Sequence, residues 1–507
     1  MMSRVLGFIR DIMIAAVLGT GVAADAFFVA FRIPNLFRRI FAEGAFNNAF
    51  IPLFSRNLEG QGGEAARRFA EQAASVLIFT LLIFTALAEI FMPGLMYVMA
   101  WGFTDTPDKF DLAVLMTRIT FPYLIFVSLL ALYSGILNAF GRFAAAAFAP
   151  VLLNVVFIAA LSMLIGRNVE NSEEAAVVLA WAVSLAGLLQ LLVVVFAARS
   201  VGMILGIRLP RLTRDVKRLV VLGIPGVLAG GITQINIIIG TLIATLQDGA
   251  VSWLYYADRL YQLPLGVVGI AIGVVLLPDL SRKFQEGNRA AAFESQNRSL
   301  EFSLILTLPA AVALFVVPVP IISVLFERGA FETGDTKATA DALAAFALGL
   351  PAFVLIKVFS PGFFANEDTK TPMAFAGVGM IVNVICSLAL FWWIGHVGIA
   401  IASSLAGWVN AVLLWWTLTR RGLFEFDGRL RRLALPLFIS LLIMGLGLWG
   451  IYYVLEPWFS PGNSSTVRVA GLALLVTGGL ILFGVAAQLT GAVNLTHLFR
   501  MIFRLSR

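Results

Sequence analysis

The chain has 507 residues, 60% of them hydrophobic and 13% charged, with a formal net charge of +7 and a mean hydropathy of +0.93. A soluble chain of this length needs a far larger charged fraction to cover its surface, so a water-soluble globular protein is excluded. The basic balance does not point to nucleic acid, because Lys and Arg cluster in short loops between apolar runs, as membrane topology requires.

Fourteen apolar runs are long enough to span a bilayer. The first, near 2–18, carries Arg10-Asp11 and lacks a basic leader and a small-residue cleavage site, so it is not a removable signal. It is at the lower length limit for a span, and helix 1 is expected to extend upstream. The second, 25–54, holds Asp25, Arg32, Pro34, Arg38, Arg39 and Glu43. Four more follow at 73–100 (with Glu89), 110–138 (with Arg118), 145–165 and 175–198, and then a dense basic segment from Arg199 to Arg218. Run seven, 219–245, is rich in Gly, and run eight, 252–280, carries Asp258-Arg259. Runs at 299–325, 339–364 (with Lys357), 373–394 and 399–418 precede a second basic segment, Arg420 to Arg432. The last two lie at 433–455 and 469–490, before a basic tail.

The loops give orientation independently. Alternate loops plus the tail hold 23 Lys and Arg, against 5 on the other side, so both termini are expected on the cytoplasmic side. The single Cys, Cys386, lies in an apolar run and reads as a small hydrophobe, and the two His, His396 and His497, read as interfacial. That inventory speaks against a Cys/His metal site, a disulfide framework or a thiol nucleophile, and no cofactor is expected.

The two halves carry the same punctuation. Pro52 to Arg56 recurs as Pro278 to Arg282, 226 residues on; Pro122, Asn154 and Gly166 recur as Pro351, Asn383 and Gly395, each 229 on. Ser184-Leu-Ala-Gly187 recurs as Ser404-Leu-Ala-Gly407, 220 on. Six spans per repeat make the halves parallel, with transporter sites of this type lying near the midplane between them. The expected architecture is therefore an all-α polytopic membrane protein of fourteen helices, two parallel six-helix lobes around a central cavity plus two extra helices. The divisions are an N-lobe 1–200, a basic linker 201–218, a C-lobe 219–420, the extra pair 433–490 and a basic tail 491–507.

Eight basic residues remain inside the spans: Arg4, Arg10, Arg32, Arg38, Arg39, Arg118, Arg259 and Lys357. At ~2.5–3.5 kcal/mol each on insertion scales, eight at full depth would cost on the order of 20–28 kcal/mol, so they cannot face lipid. They line a wet cavity, pair with acids or snorkel from a helix end. The acids placed to reach a cavity (Asp11, Asp25, Glu43, Glu89 and Asp258) are fewer, so it should be net positive. Clustered guanidiniums in a protected cleft suit a diphosphate, whose oxygens they bind two at a time. The rival reading makes them ion-paired braces, with Arg10 paired to Asp11 and Arg259 to Asp258. For Arg4, close to a helix end, the rival is snorkelling.

The opening Ser3-Arg-Val-Leu-Gly-Phe-Ile-Arg10-Asp11, then Ala24-Asp25 to Phe31 and Pro34-Asn35-Leu-Phe-Arg38-Arg39-Ile-Phe-Ala-Glu43-Gly44-Ala-Phe, closely resemble the MurJ (MviN-type) lipid II flippases. Tyr255-Tyr-Ala-Asp258-Arg259-Leu, Leu325-Phe-Glu-Arg328-Gly-Ala-Phe331 and Asp368-Thr-Lys-Thr-Pro372 continue the likeness along essentially the whole chain. The resemblance implies the multidrug/oligosaccharidyl-lipid/polysaccharide exporter fold and a transporter rather than an enzyme. The implied cargo is the undecaprenyl-diphosphate-linked peptidoglycan precursor, moved by alternating access from the cytoplasmic to the periplasmic leaflet. It also implies that Arg4, Arg10, Arg38 and Arg259 bind the diphosphate, that Asp11, Asp25, Arg39, Glu43 and Asp258 support or gate them, and that the last two helices form a groove for the polyprenyl tail. Expected partners are lipid II, membrane lipids and the cell-wall synthesis machinery, with a monomeric chain. Some members bind sodium through carboxylates on helices 7 and 11; here those spans offer only Gln234, Asn236, Asn383 and Ser387, and no metal site is assigned. Membrane potential acting on cavity charges, at ~2.3 kcal/mol per charge per 100 mV, is the alternative drive. The competing readings are a flippase for another polyprenyl-linked oligosaccharide of the O-antigen type, and an intramembrane polyprenyl-phosphate enzyme.

Overall fold

Pro, Gly and polar side chains within long apolar runs decide where the helices break. The computed structural model describes residues 2–41, 45–170, 172–206 and 208–493, with side chains described except at 37–41, 45, 48, 225–233, 267–268, 270–271 and 273–275. Every regular element among the described residues is helical. In the first repeat these are α1 (Met2–Leu18), α2 (Val22–Phe41), α3 (Ala45–Gln61), α4 (Gly63–Ile90), α5 (Met92–Met99), α6 (Pro107–Thr120), α7 (Tyr123–Ala139), α8 (Ala144–Gly166) and α9 (Glu173–Ser200). The second repeat comprises α10 (Arg214–Ala244), α11 (Ala250–Gln285), α12 (Arg289–Val316), α13 (Pro318–Phe326), α14 (Thr333–Ala347), α15 (Leu350–Phe364), α16 (Lys370–Ile394) and α17 (His396–Arg420). The extra pair is α18 (Gly428–Leu455) and α19 (Ser465–Thr490).

Ten helical segments among the described residues are long and apolar enough to cross a membrane. They coincide with expected spans 3 to 6 and 9 to 14. The four runs outside that set, 1, 2, 7 and 8, include those that carry Arg4, Arg10, Asp25, Arg32 and Arg259. Run 1 forms a helix of only 17 residues that carries Arg4, Arg10 and Asp11, charge and Pro lower the hydropathy of runs 2 and 8, and runs 2, 7 and 8 include residues whose side chains are not described.

The duplication is visible in the breaks. Pro122 has no N–H to give, so Leu124 and Ile125 N–H turn to the carbonyls of Phe121 and Pro122, both at 3.0 Å. The Ser184 hydroxyl donates to the Ile119 carbonyl just before that break. In the second repeat Gly349 N–H bonds the Phe346 carbonyl at 2.9 Å, and the Ser404 hydroxyl donates to the Ala345 carbonyl at 2.7 Å. The repeated Ser-Leu-Ala-Gly motif thus supplies the polar cap that a kinked helix needs where no water reaches its backbone.

The chain divides into two compact units: Met1–Ser252 with Arg328–Glu332, and Trp253–Glu327 with Thr333–Arg507. In the first unit Phe46, Phe50 and Phe54 on α3 stack in series, with centroids 5.3 and 5.6 Å apart, and Phe69 of α4 stacks on Phe50 at 5.5 Å. Helix α10 packs on α2, α3 and α4 of this unit, although its sequence opens the second repeat. The second unit has its own core of Leu276, Leu280, Val354, Val358, Phe359, Leu414 and Leu437. A satellite cluster of Val317, Val324, Met444, Leu448, Phe459 and Leu475 packs α13 against α18 and α19.

Both ends of the extra pair are clamped by charge. At one end Arg298 of α12 bonds both Glu301 and Asp427, and Arg429 bonds Glu301 at 2.7 Å. Asp427 also caps α18, accepting Leu430 N–H at 2.7 Å. At the other end Arg468 of α19 donates to Ser323 and pairs with Glu327 at 3.2 Å.

Candidate functional site

Helix α1 carries the first intramembrane cation. Arg10 is followed at once by Asp11, and both side chains are under a tenth exposed. The guanidinium donates from Nε and Nη2 to Asp11 Oδ1, at 3.0 and 2.7 Å, and from Nη1 to Asn154 Oδ1 at 3.0 Å. Its Cζ lies 5.5 Å from the centroid of the Phe157 ring, also on α8. Asn154 in turn donates to the Ser3 carbonyl at 2.9 Å, tying the first turn of α1 to α8. Three of the five N–H groups of Arg10 are engaged, and the remaining two, one on each terminal nitrogen, suit an anion. The expected Arg10–Asp11 pair is therefore present, and Asn154, noticed in the sequence only as a repeat marker, is its third member. Arg4, two turns back, is exposed.

Asp25, in the first turn of α2, is fully buried. Its carboxylate accepts from Lys109 Nζ at 2.9 Å, from Gly249 N–H at 2.8 Å, and from Ser252 N–H and hydroxyl at 3.0 and 2.6 Å. The acid thereby caps the N-terminus of α11, where backbone N–H groups and the helix dipole favour a negative charge. Lys109 is itself 1% exposed; it reaches Asp248 at 2.8 Å and lies 4.4 Å from the Phe103 ring. Sequence reasoning assigned Asp25 a supporting or gating place but missed Lys109, Asp248 and Ser252. Two signals were available: Lys109 is a lone cation in a loop otherwise poor in them, and Asp248-Gly249 is a turn pair directly before a helix.

A second tight approach involves the C-terminal end of α1. The Leu325–Phe331 motif ends in a strap, Arg328–Glu332, that belongs to the first unit. Ala330 N–H donates to the Ala16 carbonyl at 2.8 Å, at the C-terminal end of α1. Gly19 and Gly329 meet this contact with φ of +59° and +56°; a Cβ on either would fall 2.1 Å from the Ala330 oxygen or 2.3 Å from the Ala16 oxygen. Only Gly permits backbone to lie on backbone here.

The other expected site residues are distributed as follows. On α2, half-buried Arg32 donates to the Thr241 hydroxyl of α10. The side chains of Arg38 and Arg39, and Glu43 altogether, lie outside the described residues. On α11, Arg259 donates from Nη2 to the Tyr255 hydroxyl at 2.9 Å and covers that ring at 4.5 Å, while Asp258 accepts from Gln262. Arg118 is exposed and borders an apolar cavity of about 850 Å³ that Pro122, Phe126, Met163, Trp181 and Leu188 also line. Lys357 is exposed, with Nζ against Gly269 of α11. Asn383 accepts from the Ser387 and Ser403 hydroxyls, both at 3.4 Å.

The polar contacts between loops sort by face. Loops on the basic side contact one another: Arg56 with Asp215, Arg208 with Glu71, Arg298 with Asp427 and Arg421 with Asp368. Loops on the opposite side do the same: Lys109 with Asp25 and Asp248, and Arg468 with Glu327.

With this geometry in hand, comparison with known proteins supplies the relatives. Residues 14–468 match the family described as Lipid II flippase MurJ. A probable lipid II flippase MurJ of Rhizobium tropici is 46% identical over 503 residues, covering 99% of this chain and 94% of that protein. Among solved structures, one titled Lipid II flippase MurJ, inward closed conformation, superposes with a TM-score of 0.78 at 22% identity, over 96% of each chain. An inward-facing multidrug resistance MATE family transporter of the MOP superfamily superposes with a TM-score of 0.67 at 16% identity, over 83% of this chain and 95% of the other.

Proposed function

The chain belongs to the lipid II flippase MurJ family, and from that membership we propose how its own residues handle the cargo. The protein is a multi-pass membrane transporter of lipid II, a part of peptidoglycan biosynthesis. The observation that carries this is the family match over 14–468 together with 46% identity along 99% of the chain.

In the proposed arrangement fourteen helices cross the inner membrane, both termini are cytoplasmic, and the chain works as a monomer without catalysing a reaction. Arg4, Arg10, Arg38 and Arg259 bind the diphosphate as the lipid moves from the cytoplasmic to the periplasmic leaflet by alternating access. Asp11, Arg39, Glu43 and Asp258 position them. The support for Arg10 is its fixed orientation: Asp11, Asn154 and Phe157 hold the guanidinium on three sides, so little side-chain freedom is lost when an anion arrives. Arg259 is similarly held against Tyr255. Asp25 takes the supporting place, through the helix cap rather than through the cargo. The groove for the polyprenyl tail is assigned to α18 and α19, and the cell-wall synthesis machinery is the proposed protein partner.

Depletion of the protein, followed by asking which leaflet holds the precursor, tests the function: lipid II should accumulate on the cytoplasmic side. Replacement with Arg10→Ala, Arg38→Ala or Arg259→Ala should leave that accumulation uncorrected while the protein stays folded in the membrane. Full correction by both the Arg10 and the Arg259 variants would overturn the site. Accumulation of a different polyprenyl-linked sugar would redirect the cargo.

A further inference from the structure

The described residues between α9 and α10 have no regular structure, yet they are pinned. Glu71 of α4, 2% exposed, accepts Gly206 N–H at 3.1 Å and Arg208 Nε at 2.5 Å, and the Ser75 hydroxyl oxygen accepts Arg208 N–H at 3.2 Å. A buried carboxylate with such donors is a costly way to hold a loop unless its position matters. Met203 turns into the core of the first unit and Leu205 packs against it. Ile204, Leu209 and Leu212 turn the other way, with 60%, 80% and 61% of their surface exposed. Between and after them stand Arg208, Arg211, Arg214, Lys217 and Arg218, all exposed, with Asp215 the one acid in the stretch.

The level at which this segment crosses α4 is informative. Glu71 and Ser75 bracket residue 73, where the apolar run of that helix begins. The linker therefore runs along the boundary between bilayer and water. Large aliphatic side chains facing out among guanidiniums at that depth suit neither bulk water nor the hydrocarbon core. They suit a headgroup layer, where the aliphatic groups reach the acyl boundary and the cations meet phosphate.

We propose that Val201–Thr213, with Arg214 to Arg218 following, is an interfacial anchor for anionic phospholipid in the leaflet at the basic face. Ile204, Leu209 and Leu212 insert among acyl chains, and Arg211 and Arg214 bind headgroup phosphates. Glu71 holds the segment at that height and so fixes the start of α10. The inference rests on the membrane-spanning arrangement proposed above but not on the identity of the cargo.

The test uses the full chain with Cys386→Ser, so that Leu209→Cys or, in a second protein, Leu212→Cys carries the sole thiol. Each is labelled with a polarity-sensitive fluorophore and reconstituted into phosphatidylcholine vesicles, or into vesicles of equal parts phosphatidylcholine and phosphatidylglycerol. With phosphatidylglycerol the emission should shift to the blue and be quenched by a nitroxide placed high on the acyl chain. Both effects should fade as salt is raised, and Arg211→Gln with Arg214→Gln should bring the signal to the phosphatidylcholine level. Labels at both positions that stay water-like in both vesicles would overturn the proposal, as would equal insertion regardless of lipid charge. Reaction of the same thiols with an impermeant reagent added outside whole cells reports orientation separately. Labelling from outside would sink the orientation, while insertion in vesicles would still stand or fall on its own.

Discussion

The two repeats tie together their less basic loops in different ways. In the first, Lys109 sits buried between Asp25 and Asp248, and Asp25 caps α11. The repeat spacing of 226 sets Lys109 on Asp335, which in the second unit accepts a hydrogen bond from the Trp253 indole at 3.2 Å. There the Trp253 ring packs on His396 at 4.8 Å, and the His396 ring nitrogen bonds the Ala338 carbonyl at 2.8 Å. One junction is built from buried charge and the other from rings with single neutral or half-charged bonds. Duplication thus preserved the place of the contact but not its chemistry, and the two should fail differently.

The largest expected difference comes from removing a partner. Lys109→Met leaves the buried Asp25 carboxylate without its cation, while Asp248, 80% exposed, stays in water; breaking a buried pair in this way costs about 3–5 kcal/mol. Trp253→Phe removes one hydrogen bond and leaves a smaller aromatic ring, at about 1 kcal/mol for the bond. Thermal unfolding of each variant in detergent reads the contrast directly. Equal losses would mean that the charge in the first unit is solvated and the comparison false. Adding Asp25→Asn to Lys109→Met should recover part of the loss, because it removes the stranded charge.

A smaller contrast is steric. Gly187 and Gly407 close the repeated Ser-Leu-Ala-Gly motif. A Cβ on Gly187 would lie 2.5 Å from the Tyr123 ring, and one on Gly407 would lie 3.0 Å from the Phe353 ring. Gly187→Ala should cost about 1–3 kcal/mol as the ring is forced aside, and Gly407→Ala less than about 1 kcal/mol. The reverse order, measured by the same unfolding, would show that the first unit accommodates the ring more easily than the second.

Third in size is a pair of substitutions with opposite sign. The turns that end α7 and α15 close alike: Arg142 N–H reaches the Leu137 carbonyl at 2.8 Å, and Asp368 N–H reaches the Phe363 carbonyl at 3.0 Å. The left-handed residue is Gly141 in the first, with φ of +71°, but Glu367 in the second, with φ of +61°. That conformation costs a residue with a Cβ roughly 1–2 kcal/mol. Glu367→Gly should therefore gain about 1 kcal/mol and Gly141→Ala lose about the same. No atom lies within 4 Å of a Cβ at Gly141, so a loss there reports backbone strain alone.

These pairs also show what the sequence could reveal. Ten of the spans and the duplication were legible because hydropathy, Pro and the Ser-Leu-Ala-Gly motif act through local physics. The Arg10–Asp11 pair was legible because its members are adjacent. Asn154 is 144 residues from Arg10, and Lys109 is 84 from Asp25, so no local pattern joined either donor to its partner. Lys109 looked like an ordinary loop cation because exposure is not encoded in residue type. The packing of α10 on α2, α3 and α4 was hidden for a similar reason: sequence repeats record ancestry, whereas packing records where a helix finds its partners.

The smallest predicted effect is again a feature that only one unit has. Beside Glu367, Asp368 Oδ2 accepts the Thr371 hydroxyl at 2.6 Å, Oδ1 accepts Thr371 N–H at 2.9 Å, and Arg421 Nη1 reaches Oδ2 at 2.6 Å. The Thr371 bonds first, and the Arg421 charge after them, hold this carboxyl down at about 2. A folded-state value below that of an unfolded Asp, about 3.9, gives stability that is complete at neutral pH and persists down to about pH 4. It is lost as pH falls from about 4 towards 2. Arg421 is 45% exposed, so water screens the pair and its share should stay under about 1 kcal/mol. Backbone hydrogen exchange of residues 366–371 should therefore accelerate below about pH 4, beyond the intrinsic pH dependence, and Asp368→Asn should abolish that response. The matching turn in the first unit offers Gly141-Arg142 with no carboxylate, so its protection should not change over the same interval. An identical acid response in both turns would assign the effect to general loosening of the protein rather than to Asp368.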